Sequence, residues 1–488
     1  MRTAQTGELD NLEASRSVPN TPEGFAMRSK LALFLCLASG CGATAADPRP
    51  DGDRGRGSPT GGRPQAGLPS TGDTVPADAP PGEPVVVTLH TRVALAGGLG
   101  EVPGRPTHVA FQDGRRQPWQ TLDVATDTLT FQVTHAQYGV AVLCAADGAR
   151  TWRDWTFVHR TTAEQTELTV GCAAPADLAS SPTLTFEASE NTTPFSWQAL
   201  AADFETEAIE QAGVTNWEAV PVVGGPYDVA FVLRNRLADD PYTVLDRVRL
   251  VRDVDPARTP KVTLDLASTS WMRPIPARVV LPAEHDSLTD LHWESQDVRL
   301  RLRRGTQVPL TLYRTGAARG RTEVLPANGL LPGDVYSLTS SEDFDHALRL
   351  SERLTSSLDG ASPAPLPPAT RAGGIEGQED GTLVRWARTE GAAIYMLDVK
   401  LFDDETRFSR VHLDVSAGFC ADLPAPAWGL SKPADLAWLD VPLPLGTANR
   451  NVVYRALGSN RGLAGLEAVS RAPASDLDGL DLWLTRAW

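Results

Sequence analysis

Val298-Arg-Leu-Arg-Leu302 alternates apolar and charged side chains without a break. A period of two belongs to a β-strand, whose successive side chains leave opposite faces. Val298, Leu300 and Leu302 are expected to line a core while Arg299 and Arg301 face water, as in a half-buried antiparallel strand. The wider run Arg299-Leu-Arg-Leu-Arg-Arg304 is accordingly expected to be the solvated face of a strand rather than a binding site.

Segments of the same kind fill the chain in both directions. Around this strand lie Ala277-Arg-Val-Val-Leu281, Val308-Pro-Leu-Thr-Leu-Tyr313, Asp334-Val-Tyr-Ser-Leu-Thr339 and His346-Ala-Leu-Arg-Leu-Ser351. Upstream come Thr183-Leu-Thr-Phe-Glu187, Tyr227-Asp-Val-Ala-Phe-Val-Leu-Arg234, Asp246-Arg-Val-Arg-Leu-Val-Arg-Asp253 and Lys261-Val-Thr-Leu-Asp-Leu266. Nearer the start are Val85 to Val93, Thr107 to Gly114 with its Asp-Gly turn, Asp127 to Thr134, Tyr138 to Cys144, Trp155 to His159 and Glu167 to Cys172. Short strands with turns every 8 to 12 residues are the pattern of a sandwich. The fold class is therefore all-β, several antiparallel β-sandwich-like modules in tandem after a disordered N-terminal tether. The modules are bounded at 84–173, 182–267, 268–368 and 371–488, with the Pro-, Ala- and Gly-rich stretch 358–374 as a joint.

The other informative stretch is Met27-Arg-Ser-Lys-Leu-Ala-Leu-Phe-Leu-Cys-Leu-Ala-Ser-Gly-Cys41. Two basic residues, a short apolar run and small residues before a cysteine are the three parts of a secretory signal. Leu37-Ala-Ser-Gly-Cys41 resembles the lipobox of bacterial lipoproteins. The resemblance implies that 1–41 is an upstream extension plus signal peptide, with 27–40 removed and Cys41 the first mature residue and lipid acceptor. Met27 is then the expected start. The apolar run is too short to span a bilayer, and firm anchoring requires the multiple acyl chains such a cysteine carries. Residues 42–83, rich in Pro, Gly, Thr and Asp, cannot bury enough to order themselves and are expected to form a disordered linker. Gly42, rather than an Asp, follows the acceptor. In the enteric sorting pattern this resembles outer-membrane retention, so the expected localisation is the cell envelope.

The last module carries a second resemblance. Thr382-Leu-Val-Arg-Trp-Ala-Arg388 followed by Gly391-Ala-Ala-Ile-Tyr-Met-Leu-Asp-Val399 resembles the B and C strands of fibronectin type III and related domains. Trp386 and Tyr395 stand where those domains place a core Trp and a following Tyr. The similarity covers about twenty residues of the 488 and implies a fold, not an activity.

Composition sets the function classes aside or leaves them open. The formal net charge of −16, without a basic patch, argues against a nucleic-acid partner. Cys144 and Cys172 each end a strand of one module, so a disulfide between them is consistent with an oxidising compartment. Cys420 is expected to be a buried small hydrophobe. No Cys/His spacing suggests zinc, and neither metal nor cofactor is expected. His285, Asp286, Asp290 and His292, like Asp343, Asp345 and His346, follow no known ligand spacing and are assigned to polar loops. Asp476-Leu-Asp-Gly-Leu-Asp481 lacks the ligand ladder of a calcium loop and is assigned to a turn. No nucleophile elbow, zinc helix, phosphate loop or dinucleotide fingerprint is present.

Exposed aromatic side chains can form sugar-binding platforms, and Trp152 with Trp155, in a turn-like stretch, are the candidates for one. Trp119, Trp217 and Trp386 sit beside strands and are assigned to cores. Three functions fit these readings. The first is a non-catalytic binding or structural protein, tethered to a membrane and taking a protein or glycan ligand. The second is a carbohydrate-active or other hydrolytic enzyme with a loop-built site. The third is an assembly factor that pairs its sheet edges with a partner strand.

Overall fold

A computed structural model describes most of residues 78–487. The longer stretches outside it are 95–100, 147–150, 173–183, 189–194, 202–215, 219–225, 237–242, 265–269, 278–291, 311–321, 368–375, 378–382, 430–437 and 439–450. The signal stretch Met27–Cys41, the linker as far as 77, and His285, Asp286, Asp290, Asp345 and His346 lie outside the described residues.

The chain is all-β. Its first strands are β1 (Val85–Ala94), β2 (Glu101–Pro103), β3 (His108–Asp113), β4 (Trp119–Leu122), β5 (Thr128–Val133), β6 (Gln137–Ala146), β7 (Thr151–Thr161) and β8 (Glu167–Gly171). Then follow β9 (Thr185–Ala188), β10 (Phe195–Leu200), β11 (Asn216–Glu218), β12 (Tyr227–Arg236), β13 (Thr243–Val254), β14 (Lys261–Leu264) and β15 (Ile275–Ala277). Next are β16 (His292–Arg301), β17 (Gln307–Pro309), β18 (Thr322–Val324), β19 (Val335–Phe344), β20 (Ala347–Thr355), β21 (Glu376–Gly377) and β22 (Leu383–Arg385). The last are β23 (Ile394–Asp403), β24 (Arg407–Ser416), β25 (Ala427–Gly429), β26 (Asn451–Ser459), helix α1 (Gly462–Arg471), a 3₁₀ turn (Ala474–Leu477) and β27 (Leu480–Ala487).

Twelve of these strands form one sheet in the order β17-β16-β19-β20-β27-β26-β23-β24-β7-β6-β3-β4. It draws strands from the first, third and fourth sequence modules. Two seams join them. Antiparallel β20 and β27 pair from Ala347↔Ala487 to Leu354↔Leu480. Parallel β24 and β7 pair from Arg407↔Thr151 to Val415↔His159. The modules therefore stand side by side in one sheet rather than as beads on a string.

Smaller sheets cover it. Strands β1, β2, β5 and β8 lie over one end, where Val87, Leu89, Phe131, Val133, Leu168 and Val170 meet Val109, Tyr138, Val140 and Val142. At the other end, β10-β12-β13 packs on β16 and β19 through Ala230, Val232, Val248, Val298, Leu300 and Leu338. The reverse side of β12 packs Tyr227, Val229 and Phe231 against Phe186 and Val262 of the β11-β9-β14 sheet. Both faces of β12 are buried, which is why Val229 to Leu233 is continuously apolar rather than alternating.

Helix α1 was not read from the sequence, although Leu463, Leu466 and Val469 have its spacing. It packs on Ile394, Met396, Leu457 and Leu484. Its presence corrects the expectation for Arg301. That side chain is 7% exposed and donates from Nη2 to the Val469 carbonyl at 3.1 Å, near the end of the helix. The alternation of 298–302 marked two chemically different faces, but water does not cover the charged one at Arg301.

Phe157, fully buried on β7, packs in one cluster with Leu397, Leu413 and Val415 of β23 and β24. Phe157→Ala is expected to lower stability by about 3 to 5 kcal/mol. Urea unfolding followed by far-UV circular dichroism and by tryptophan fluorescence should shift as one transition. Separate transitions with only one displaced would contradict a shared core.

Candidate polar site at the parallel seam

The strands around the parallel seam alternate as the sequence does. On β24, Val411, Leu413 and Val415 point into the core containing Trp155, Phe157, Leu397 and Tyr454. Arg410, His412 and Asp414 then take the opposite face. The same alternation on β7 and β23 puts Asp154, Arg160 and Asp398 beside them. The result is a row of charged side chains on the helix-bearing face, between two apolar clusters.

These charges are paired across strands. Arg410 is bidentate to Asp154, directly opposite it in the parallel register, with Nε donating to Oδ1 at 3.2 Å and Nη2 to Oδ2. Arg160 donates from Nη2 to Asp414 Oδ2 at 2.8 Å and from Nη1 to the Asp414 carbonyl at 3.2 Å. His412 donates from Nδ1 to Asp398 Oδ1 at 2.6 Å, while Arg455 of β26 donates to Oδ2 of the same carboxylate. Burial by itself raises the Asp398 carboxyl. The His412 charge and hydrogen bond, with Arg455 and Arg410, outweigh burial and hold it well below the usual carboxylate range.

Chemically, Asp398 fixes the His412 ring and sets which nitrogen carries the proton, as a carboxylate orients a general base. Sequence reasoning did not single out these residues. The available signal was the alternation in Arg407-Phe-Ser-Arg-Val-His-Leu-Asp-Val415, which marks a polar face without naming its neighbours.

The residues expected from sequence fall elsewhere. Cys144 at the end of β6 and Cys172 just past β8 form a disulfide between the two layers of the first module, with Cα atoms 5.6 Å apart. Trp152 and Trp155 are not in a turn but within the 11-residue β7. Trp155 is 8% exposed and donates from its indole N–H to the Trp438 carbonyl at 3.0 Å, so it is a core residue rather than a ligand platform. The turn expectation failed because Arg153 and Asp154 interrupt the apolar pattern, and Asp154 takes its partner from a strand about 250 residues away. Trp119 and Trp386 are both 3% exposed, and the Trp386 ring lies 5.9 Å from that of Tyr395. Asp476 and Asp478 belong to the turn before β27.

A small pocket of about 150 Å³ opens between 388–395 and the turn after β24, lined by Arg388, Glu390, Tyr395, Ala417 and Cys420. Cys420 is 1% exposed. Among the described residues no group of three or more His, Cys, Asp or Glu is arranged to hold a metal, and no helix is long and apolar enough to cross a membrane.

Asp398→Asn leaves the Arg455 guanidinium largely buried without its counter-charge and is expected to cost about 3 to 5 kcal/mol near neutral pH. The sign with pH follows from the lowered carboxyl. Its stabilisation is complete above the unfolded value of 3.8 and is lost as pH falls through the folded one. The gap between wild type and variant in urea titrations should therefore narrow on acidification below pH 4. A gap that widens there would refute the assignment. The chain matches no protein-family model and no curated protein.

Proposed function

We propose that the protein is a lipid-anchored cell-envelope protein, held at the outer membrane through Cys41, with a non-catalytic binding or structural role. The lipobox-like stretch Leu37–Cys41 supports the anchor. The Cys144–Cys172 disulfide supports an oxidising compartment. The structural role rests above all on the way the seam charges pair. Arg410 with Asp154 and Arg160 with Asp414 tie β7 to β24, and Arg455 with His412 closes on Asp398 across β26, β23 and β24. Groups that neutralise one another in this way brace a scaffold. A ligand, whether protein or glycan, would then meet loops carried on that scaffold.

One observation favours a second reading, a hydrolytic enzyme. The His412–Asp398 contact has the geometry of an oriented general base. The two readings separate on His412→Gln. Under the proposed reading this variant alters stability and leaves ligand retention by a soluble form unchanged.

The anchor has its own test. Cells fed an alkynyl fatty acid should label the wild-type protein and leave Cys41→Ala unlabelled and released from the membrane fraction. Equal labelling of the two proteins, or labelling of neither, would overturn the anchor.

A further inference from the structure

The turn that follows β24, from Ala417 to Leu423, crosses onto the N-terminal module and is held there from three directions. Glu164, in the β7–β8 turn, accepts the Ser416 hydroxyl at 2.5 Å and the Gly418 N–H at 2.9 Å. Gly418 makes this approach possible, since a Cβ there would meet the Glu164 carboxylate. Arg115, in the β3–β4 turn, donates from Nη1 to Asp422 Oδ2 at 2.7 Å and from Nη2 to Asp422 Oδ1 and the Phe419 carbonyl. Its guanidinium lies 5.0 Å from the Phe419 ring centroid. Under the turn, the Phe419 ring rests on His159 with centroids 4.9 Å apart.

His159 is 1% exposed. Trp119 stands edge-on to it at 6.1 Å, and Gly139 is opposite, where a Cβ would come within 2.9 Å of the ring. The surroundings hold more positive than negative influence on the imidazole. Arg160 is adjacent on β7 and Arg115 comes from the β3–β4 turn. Of the nearby carboxylates, Asp422 pairs with Arg115, Asp414 with Arg160, Glu164 with the turn itself and Asp78 with the backbone of Arg115 and Arg116. On the far side Arg388 donates to the carbonyls of Cys420 and Leu423, and Glu390 lines the pocket beneath.

We propose that residues 417–423 form an acid-released strap, closed over neutral His159 and lifted when that imidazole takes a proton. Opening the strap uncovers the pocket lined by Tyr395 and Cys420 and exposes the Cys420 thiol.

The direction follows from linkage. Burial first, then the charges of Arg160 and Arg115, push His159 from the ordinary 6.5 down to about 3 in the closed form. An exposed imidazole takes its proton near 6.5, so below that value the open form gains population by up to about tenfold per pH unit, until the closed form also protonates near 3. Asp422 acts with the same sign. The Arg115 hydrogen bond holds its carboxyl below the ordinary carboxylate range, and that grip is lost on further acidification.

The test uses the full chain carrying Cys36→Ser and Cys41→Ser, which leaves Cys420 as the thiol outside the disulfide. Its labelling by 4,4′-dithiodipyridine is measured from pH 7.5 to pH 4, divided by the rate for the urea-unfolded chain at each pH. Far-UV circular dichroism is recorded on the same samples. The normalised rate should rise by about tenfold per unit below pH 6 while the dichroism is unchanged, and His159→Gln should flatten that rise. Should His159→Gln fail to fold, Glu164→Gln serves instead. It should raise the normalised rate already at pH 7.5 and leave the slope below pH 6 as in the parent. A rate that is flat with pH, that rises only as the dichroism is lost, or that keeps its slope without His159 overturns the proposal.

Discussion

The parallel pairing of β7 with β24 is the constraint on which the arrangement of the chain depends. Parallel neighbours cannot be closed by a hairpin and need a crossover connection. Here the connection is everything between Thr161 and Arg407, which includes β8 through β23. Nine residue pairs between the first module and the C-terminal strands must find their register across that connection. Closing so long a loop is entropically costly, and topologies dominated by such contacts fold slowly. Once made, the pairing turns what would be separate sandwiches into one sheet with a shared core under Trp155, Phe157, Leu413 and Tyr454.

The charged row at that seam is better understood as a register device than as a source of stability. Buried ion pairs gain little over apolar contacts of the same size, because desolvation offsets their attraction, but a mismatched pair is costly. Arg410 opposite Asp154 and Arg160 against Asp414 are satisfied together only in the observed alignment. A slip of β7 by one residue would turn Phe157 to the polar face and bring Asp154 into the core. The Cys144–Cys172 disulfide does comparable work inside the first module, joining the end of β6 to the residue after β8 across its two layers.

Much of the strand content was legible because alternation is a local property. Val298 to Leu302, Asp127 to Thr134 and Tyr138 to Cys144 each fall within strands or their immediate ends. What was not legible depended on partners remote in sequence. Arg301 carries the same pattern as an exposed arginine, and only the docking of α1 buries it. Trp155 follows polar Arg153 and Asp154, which suggested a turn until β24 supplied a partner for Asp154. His412 and Asp398 are 14 residues apart and unremarkable singly; the β23–β24 register places them opposite one another. Helix α1 is a local feature that alternation does not reveal, although Leu463, Leu466 and Val469 show their spacing within ten residues.

The entry of the chain into the fold bears on the strap. Asp78, at the start of the described residues, accepts from the Arg115 N–H at 2.7 Å, the Arg116 N–H at 3.1 Å and the Gln117 amide at 3.3 Å. Asp78 thus fastens the entering chain to the β3–β4 turn, and Arg115 of that turn clamps Asp422 and the Phe419 carbonyl. Glu164 holds the strap's other end from a separate turn, so loss of the Asp78 contact would loosen one clamp and leave the second. Acid acts on His159 between the two. The entering chain and the strap therefore share a single turn of the N-terminal module, and the residue that joins them is Arg115, through its backbone N–H on one side and its guanidinium on the other.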